Sequence, residues 1–567
     1  MLIVALVAVE RPVVGSGSPA LTLQVGDARS SAGRQRAANV VAAVSRDSLE
    51  AMVRFVSVDP VSQSSRTRFV LRETPLAFVT DSLAARLERY TGGPVDRLPF
   101  AFVDSAYSKR DSTFTAQNIV ARIEGTGAIP GVVLITAHYD AIALRTADWS
   151  DHWQMWPAPG ADDNGTGVGA LMEAARVLPH HDLPFDVMFV LFSAEELDRL
   201  GSKDFVSRYE GLYGERIIGV LNADMLGYAF AGLLGGTIIT NYTSGWFAEM
   251  IRESARARDP SLPLTVVLPG PPNSDHASFW DSSCTAVTFT EPLDEHVSII
   301  NPTYHTLGDT IVWIDFEQVE RLTNLMTGFV ADFGAAPAEI AVFPTDVTIL
   351  LNGSPTLGRR FQVGDTISVR VRVRNRGAGQ PPAGARGRLV VSVENSRGAR
   401  TVTSDELDLP GALDFRQITV PITLGPEFHG GNRFRAEVFV LGMEDDPDNN
   451  AVEVWVGVEG AGVPVLMHAV QPNPIEGTFR SAAFCINLAR AVDIGLELYT
   501  LEGERLGSAY VGDWWGNELE PGMKCLKLGT LFPRIDRLAS GIYLYRLVLY
   551  EEGAARMSYP GRFAVEN

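Results

Sequence analysis

Three short, continuous apolar runs constrain the fold most: Val132-Val133-Leu134-Ile135-Thr136-Ala137, Phe185 to Phe192, and Ile217 to Leu221. They are too short for helices and rich in β-branched residues, as expected of strands buried on both faces. Between them, Thr166 to Leu178 places Val168, Leu171, Ala174, Ala175 and Leu178 at helical spacing, and Ser202 to Tyr209 reads as a shorter helix. Alternating strands and helices imply βαβ units, hence an α/β fold with a mostly parallel sheet flanked by helices. In such sheets ligands bind outside the carboxyl ends of the strands.

Polar residues fall at that rim. His138 and Asp140 (AHYD), Glu195-Glu196 (SAEE) and Asp224 (NADM) each follow a strand, with Asp163 in GADDNG before a helix and His305 in YHTLGDT. Two histidines and three carboxylates are enough to hold two divalent metals. Asp140 and Glu195 are then left to orient a ligand and to move a proton. Zinc takes imidazole nitrogen and carboxylate oxygen. Asp140, two residues after His138, is placed to accept the second imidazole N–H and fix the ring. One carboxylate, such as Asp163, can bridge metals about 3.5–4 Å apart. Adjacent residues leaving a strand point to opposite sides, so Glu195 and Glu196 are expected to do different work. Singly, each motif has a plainer reading: a turn around His138, an N-cap in Asp162-Asp163-Asn164-Gly165, a solvated Glu pair. The ordered set is what favours a two-metal hydrolase.

Residues 115–333 resemble the co-catalytic zinc aminopeptidases of bacteria, a family that includes aminopeptidase Y and the catalytic domain of glutamate carboxypeptidase, with glutaminyl cyclase as a relative. The resemblance lies in Ile135 to Asp140, Pro159 to Gly167, Phe192 to Glu196 with Gly201-Ser202, and Asn222 to Met225. It continues in Ser274 to Phe279 and in Tyr304-His305-Thr306 with Asp309-Thr310. It implies one zinc on His138 and Asp224, a second on Glu196 and His305, and Asp163 bridging them, with manganese or cobalt able to substitute. It also implies Glu195 as general base, Tyr304 at the oxyanion, and a cis peptide after Asp163. Peptides are the implied substrates, with removal of N-terminal, mostly apolar residues the expected reaction. Met225 is expected to line a side-chain pocket or to pack in the core. No unpaired arginine motif near the ligands marks a site for a substrate carboxylate.

The alternatives on the same fold are a carboxypeptidase, a glutaminyl-cyclase-like enzyme and a non-catalytic binding protein. The interval from Asp224 to His305 leaves little room for the dimerisation domain that dimetal carboxypeptidases insert. Cyclase chemistry uses one zinc, and His138 with Asp140 argues for two. No ligand of the set is lost, as a dead peptidase would require. Two departures bear on specificity: the long, Trp-containing segment Ala141 to Pro159, and Asp198-Arg199-Leu200 in place of a tighter turn.

The remaining histidines have simpler explanations. His152 belongs to the Trp-rich segment, His180-His181 to a polar loop, and His296 to a charged loop. His276 is expected at a helix start capped by Ser274 or Asp275. His429 and His468 have no acidic or histidine partner close in sequence. Cys284 is isolated, whereas Cys485 and Cys525 could pair in an oxidising space.

At 567 residues the chain is too long for one core. Its formal charge of −20 argues against nucleic-acid binding. No apolar run reaches the roughly 18 residues of a spanning helix. Met1 to Val9 looks like a shortened signal core, so residues 1–45 read as a signal remnant and connector, followed by a catalytic domain over 46–335. From 339 to 457 the pattern turns all-β: Ile367, Val369, Val371 and Val373 alternate with polar residues. This region resembles the CARDB domains of secreted proteins, as a β-sandwich. Its acidic turn Glu444 to Asn450 is a calcium candidate, with a solvated hairpin the simpler reading. Residues 464–567 resemble the small terminal β-sandwich of FlgD-like and type 9 secretion sorting domains. An extracellular, cell-surface or periplasmic location follows from these resemblances, with attachment to the surface or a secretion system through the terminal domain.

Overall fold

The structure, a computed structural model, describes residues 6–7 and 31–567 other than 110, 230–231, 233, 242, 294–297, 335–337, 343–345, 352–353, 356–360, 363, 378, 396–397, 405, 426–427, 429, 442–449, 460–464, 472–474, 477–478, 480–481, 489–492, 502–503, 512–521, 536–537, 552–553 and 567. The signal-core reading of Met1 to Val9 and the acidic turn before Asn450 fall almost wholly outside these residues, as do His296 and His429. The chain divides into two compact units. One is Val25–Ala338 with Gly377–Gly379; the other is Met1–Gln24, Glu339–Arg376 and Gln380–Asn567. No described helix is long and apolar enough to cross a membrane.

The first unit is a mixed α/β structure. Its described strands are β1 (Val95–Asp104), β2 (Ser112–Ile123), β3 (Val132–His138), β4 (Asp186–Phe192), β5 (Ile217–Ala223), β6 (Gly236–Ile239), β7 (Leu264–Val267) and β8 (Ala286–Thr290). They form one sheet in the order β1-β2-β4-β3-β5-β8-β6-β7. The central strands β4, β3, β5 and β8 run parallel, while β1 pairs antiparallel with β2, β2 with β4, and β6 with β8. Every residue of β3 is buried, which is why its sequence is continuously apolar rather than alternating.

Helices cover both faces: α1 (Ser31–Ala43), α2 (Arg46–Ser57), α3 (Glu73–Thr91), α4 (Trp149–His152), α5 (Gly165–Val177), α6 (Leu200–Leu212), α7 (Gly245–Arg258), α8 (His276–Asp281) and α9 (Phe316–Asp332). Alternate strand residues serve opposite faces. Leu134, Met188, Val190 and Val220 pack with Phe205 and Tyr209 of α6 and Phe279 of α8. On the other face α5 packs against β3 and β5, and α2 covers α5. The α2 stripe Leu49, Met52, Val53 and Val56 is buried as its spacing requires. Ser45 caps α2 by accepting from Ser48 N–H. α1 lies in the stretch read as a connector; its Ala37 and Val40 are buried, and it packs against α9.

The second unit is almost entirely β, with one short described helix at Leu528–Leu531. One hydrophobic cluster spans Ile340 to Val452, with Ile367, Val369, Val371 and Val373 of the alternating strand all inside it. A separate cluster spans Val470 to Val565. Cys485 is disulfide-bonded, and the strand register places Cys525 directly opposite it.

Candidate active site

The sheet order explains how distant motifs meet. β3 lies between β4 and β5, so His138, at the carboxyl end of β3, stands between the Glu195-Glu196 turn after β4 and Asp224 after β5. His138 Nε2 lies 3.3 Å from both Asp224 Oδ1 and Asp163 Oδ1. His305 Nε2 lies 2.9 Å from Asp163 Oδ2 and 2.9 Å from Glu196 Oε2. Asp163 thus faces one imidazole with each carboxylate oxygen. All five residues line a single cavity together with Glu195, Met225 and Tyr304.

The turn carrying Asp163 is built around Asn164. Its Oδ1 accepts from Gly167 N–H (2.9 Å) and Met225 N–H (3.2 Å), and its Nδ2 donates to the Ala223 carbonyl (2.8 Å). Asn164 therefore caps α5 and ties it to the end of β5; the cap is this residue rather than either aspartate before it. The Asp163–Asn164 peptide is cis. Asp309 accepts the N–H groups of Asp162 (2.9 Å) and Asp163 (3.0 Å). Beneath the turn, the fully buried Arg68 donates to the carbonyls of Tyr139, Pro159 and Gly160. Burial lowers its pKa to about 10, so it stays charged beneath the acids. Neither Arg68 nor the buried Glu291, whose carboxyl burial raises well above the usual range, carried a sequence signal. Both are brought in by packing from distant segments.

Glu195 and Glu196 correct the strand-based expectation. They leave β4 in a tight 3-10 turn after Ala194, whose φ is 58°. Both side chains consequently line the same cavity instead of pointing to opposite sides. Asp140 fixes the turn: its Oδ1 accepts from Glu195 N–H (3.1 Å) and its Oδ2 from Glu196 N–H (3.3 Å). Its approach to His138 Nδ1 is 3.7 Å, an ion-pair distance rather than a hydrogen bond. Asp275 also departs from expectation, because it makes no helix-capping bond. Its carboxylate oxygens are buried without a well-formed hydrogen bond, and burial pushes its pKa up to about 7. His276 bridges Thr288 Oγ1 (2.5 Å) and the Pro271 carbonyl (3.2 Å).

The electrostatics are those of a cation site. Four carboxylates and two imidazoles line the cavity, largely out of water. Burial raises Glu195 well above the usual range and Glu196 to about 7. Burial works against charge on His305, but Glu196 and Asp163 outweigh it and raise the ring to about 11. Burial likewise opposes ionisation of Asp163, yet the facing imidazoles of His138 and His305 hold it below the usual range. So many buried acids are costly unless paired or bound to metal. Asp163 Oδ2 and Glu196 Oε1 have no well-formed hydrogen bond, and atoms of His138, Asp163 and Glu196 lie within 4.8 Å of one another. The donor set suits a divalent metal such as zinc.

The other sequence candidates lie elsewhere. His152 stacks on Trp156 at 4.6 Å, and His468 pairs with Tyr545 Oη at 2.9 Å. Cys284 is a free thiol whose pKa burial raises, the wrong direction for a nucleophile.

Residues 118–330 match the family model described as Peptidase family M28. Aminopeptidase YwaD of Bacillus subtilis (strain 168) is 29% identical over 219 residues, covering 38% of this chain and 44% of the relative. Leucine aminopeptidase 1 of Trichophyton equinum is 30% identical over 230 residues, covering 39% and 58%. The chain thus spans about half the length of these curated relatives. Among solved structures, the LapA aminopeptidase of Legionella pneumophila aligns with a TM-score of 0.43 at 20% identity, covering 55% of this chain and 77% of that one. BSAP, a zinc aminopeptidase from Bacillus subtilis, aligns with a TM-score of 0.40 at 17% identity, covering 50% and 94%. The match to peptidase family M28 takes in every residue of the cavity cluster, and the all-β half of the chain lies outside it.

Proposed function

We propose that this protein is an exported two-zinc aminopeptidase that removes N-terminal residues from peptides. The observation that carries this reading is Asp163, which turns one oxygen toward His138 and the other toward His305. His138 and Asp224 would hold one ion, Glu196 and His305 the other, with Asp163 shared. Zinc bound there would act as a Lewis acid on the scissile carbonyl and acidify the attacking water.

The chain's own residues do the rest. Glu195 takes the proton of the attacking water and passes it to the leaving amine. Asp140, by accepting both N–H groups of the turn, aims Glu195 and Glu196 into the cavity. Burial, then the charges of Asp163 and Glu196, raise the Tyr304 phenol well above its ordinary pKa, so it stays protonated and donates to the developing oxyanion. The surplus of carboxylates receives a substrate α-ammonium group. Met225, Ile239, Leu293 and Ile299 give the cavity apolar walls, which suit leucine-like side chains. The all-β half, with its CARDB-like and sorting-like resemblances, is assigned to surface attachment. The disulfide at Cys485 is consistent with an oxidising space.

A panel of leucyl, lysyl and N-acetyl-leucyl peptides tests the reaction. Leucyl peptides should be cleaved fastest and N-acetylated ones hardly at all. Equal cleavage of the acetylated peptide would remove the aminopeptidase reading. The Glu195→Gln variant should keep its metal and lose roughly 10²–10⁴ in kcat.

A further inference from the structure

An exposed cation rests on Tyr304, a residue that lines the cavity. Arg145, in the long segment after the His138-Asp140 motif, is exposed, and its guanidinium lies over the Tyr304 ring, 4.5 Å from the centroid. Tyr304 in turn stacks on His305 with centroids 3.7 Å apart. The segment is pinned there: Arg145 N–H donates to the His305 carbonyl (2.9 Å), and Thr146 Oγ1 accepts from Leu307 N–H (3.0 Å). Arg145 is therefore held against the 304–307 segment through both its backbone and its guanidinium. Among the described residues no Asp or Glu forms an ion pair with it. A guanidinium resting on a ring still has its N–H donors, which lie in its own plane, and their fork matches a carboxylate.

We propose that Arg145 binds the C-terminal carboxylate of the substrate, so that the enzyme is built for di- and tripeptides. The inference rests on the aminopeptidase reading, because it takes the scissile bond to lie beside His305 and Tyr304. The two stacked spacings from His305 through Tyr304 to Arg145 amount to little more than two residues of extended chain, at about 3.3–3.6 Å each. A carboxylate one or two residues beyond the scissile bond therefore falls at the guanidinium. The charge pattern has the same sense: the carboxylate-rich floor attracts the ammonium end and repels the carboxylate end, and Arg145 is the cation that receives it. The sequence shows no arginine motif here because the arrangement depends on the 145–146 and 305–307 segments meeting.

The test compares Leu-Gly-Gly as free acid and as C-terminal amide. The wild-type protein should favour the acid by a few-fold, up to about five-fold, in kcat/KM, the weight of one exposed ion pair, with the difference in KM. In Arg145→Met the acid-to-amide ratio should fall to about one or below, and Arg145→Lys should recover part of it. Binding of the same two peptides to the Glu195→Gln protein should show the same ratio without turnover. A wild-type ratio near one, or an equal loss on acid and amide in Arg145→Met, would overturn the proposal; the latter would leave Arg145 acting only by steadying Tyr304. Failure to cleave either leucyl peptide would instead strike the aminopeptidase reading, and the binding ratio would still decide the role of Arg145.

Discussion

Asp140 shows how one side chain serves two others. Its carboxylate is committed to the N–H groups of Glu195 and Glu196, and Asn can keep only one of those bonds. Asp140→Asn should therefore weaken zinc binding by about 10–100-fold, as loss of an outer partner commonly does, without unfolding the chain. Titration of metal-free protein against a zinc chelator measures this, and unchanged affinity would show that the turn holds itself. A second prediction concerns pH. Burial lowers His276 from 6.5 to about 3, so the folded state favours the neutral ring. As pH falls below about 6.5 the unfolded chain takes up a proton that the folded chain refuses until about 3. Stability is thus lost across that window. His276→Asn should be less stable at pH 7 yet lose less between pH 6.5 and 3; parallel melting-temperature curves for the two proteins would contradict this. His138, Glu196 and Asp224 were legible because each follows a strand of obvious character, and Asp163 and His305 because of the GADDNG and YHTLGDT motifs that carry them. Arg68, Glu291 and Arg145 were not, because no local pattern marks a side chain whose partners come from remote segments. The direction of Glu195 and Glu196 was misjudged because period-2 alternation stops at the strand end, and Ala194 turns the chain.

At the level of elements, the turn leading into α5 concentrates the demands of the site. Asn164 joins the start of α5 to the end of β5, and a Cβ on Gly167 would collide with Asn164 Oδ1 and the Ala223 carbonyl. The Asp-Asp-Asn-Gly-Thr-Gly sequence is thus dictated by close backbone approach as much as by metal chemistry. Asn164→Ala removes the cap and two further bonds, so its cost should reach the upper part of the roughly 0.5–2 kcal/mol expected for a cap, and activity should fall with it. Urea denaturation followed by a peptidase assay checks both; a loss of stability with full activity would separate the cap from the site. The strands and most helices could be read from periodicity. α1 was harder to read, since among its small and polar residues Gly33, Ala37 and Val40 mark its buried side.

At the scale of the whole molecule, two cores in the all-β half and one α/β unit divide the labour. Disrupting the disulfide with Cys485→Ser should cost the terminal β region about 2–4 kcal/mol, seen as earlier unfolding in non-reducing conditions. Leucyl-peptide cleavage should remain within about two-fold. The composition gave the multi-core architecture, because alternating strands with Gly- and Pro-rich turns differ so plainly from the buried parallel runs before them. The central claim is that Asp163 is shared between two metal ions. Metal analysis by mass spectrometry on exhaustively dialysed protein, reconstituted with zinc, tests it directly. The account predicts two zinc ions per chain in the wild-type protein and fewer in Asp163→Ala, with cleavage lost. One ion or none in a fully active wild-type protein, or two retained in an active Asp163→Ala variant, would contradict it.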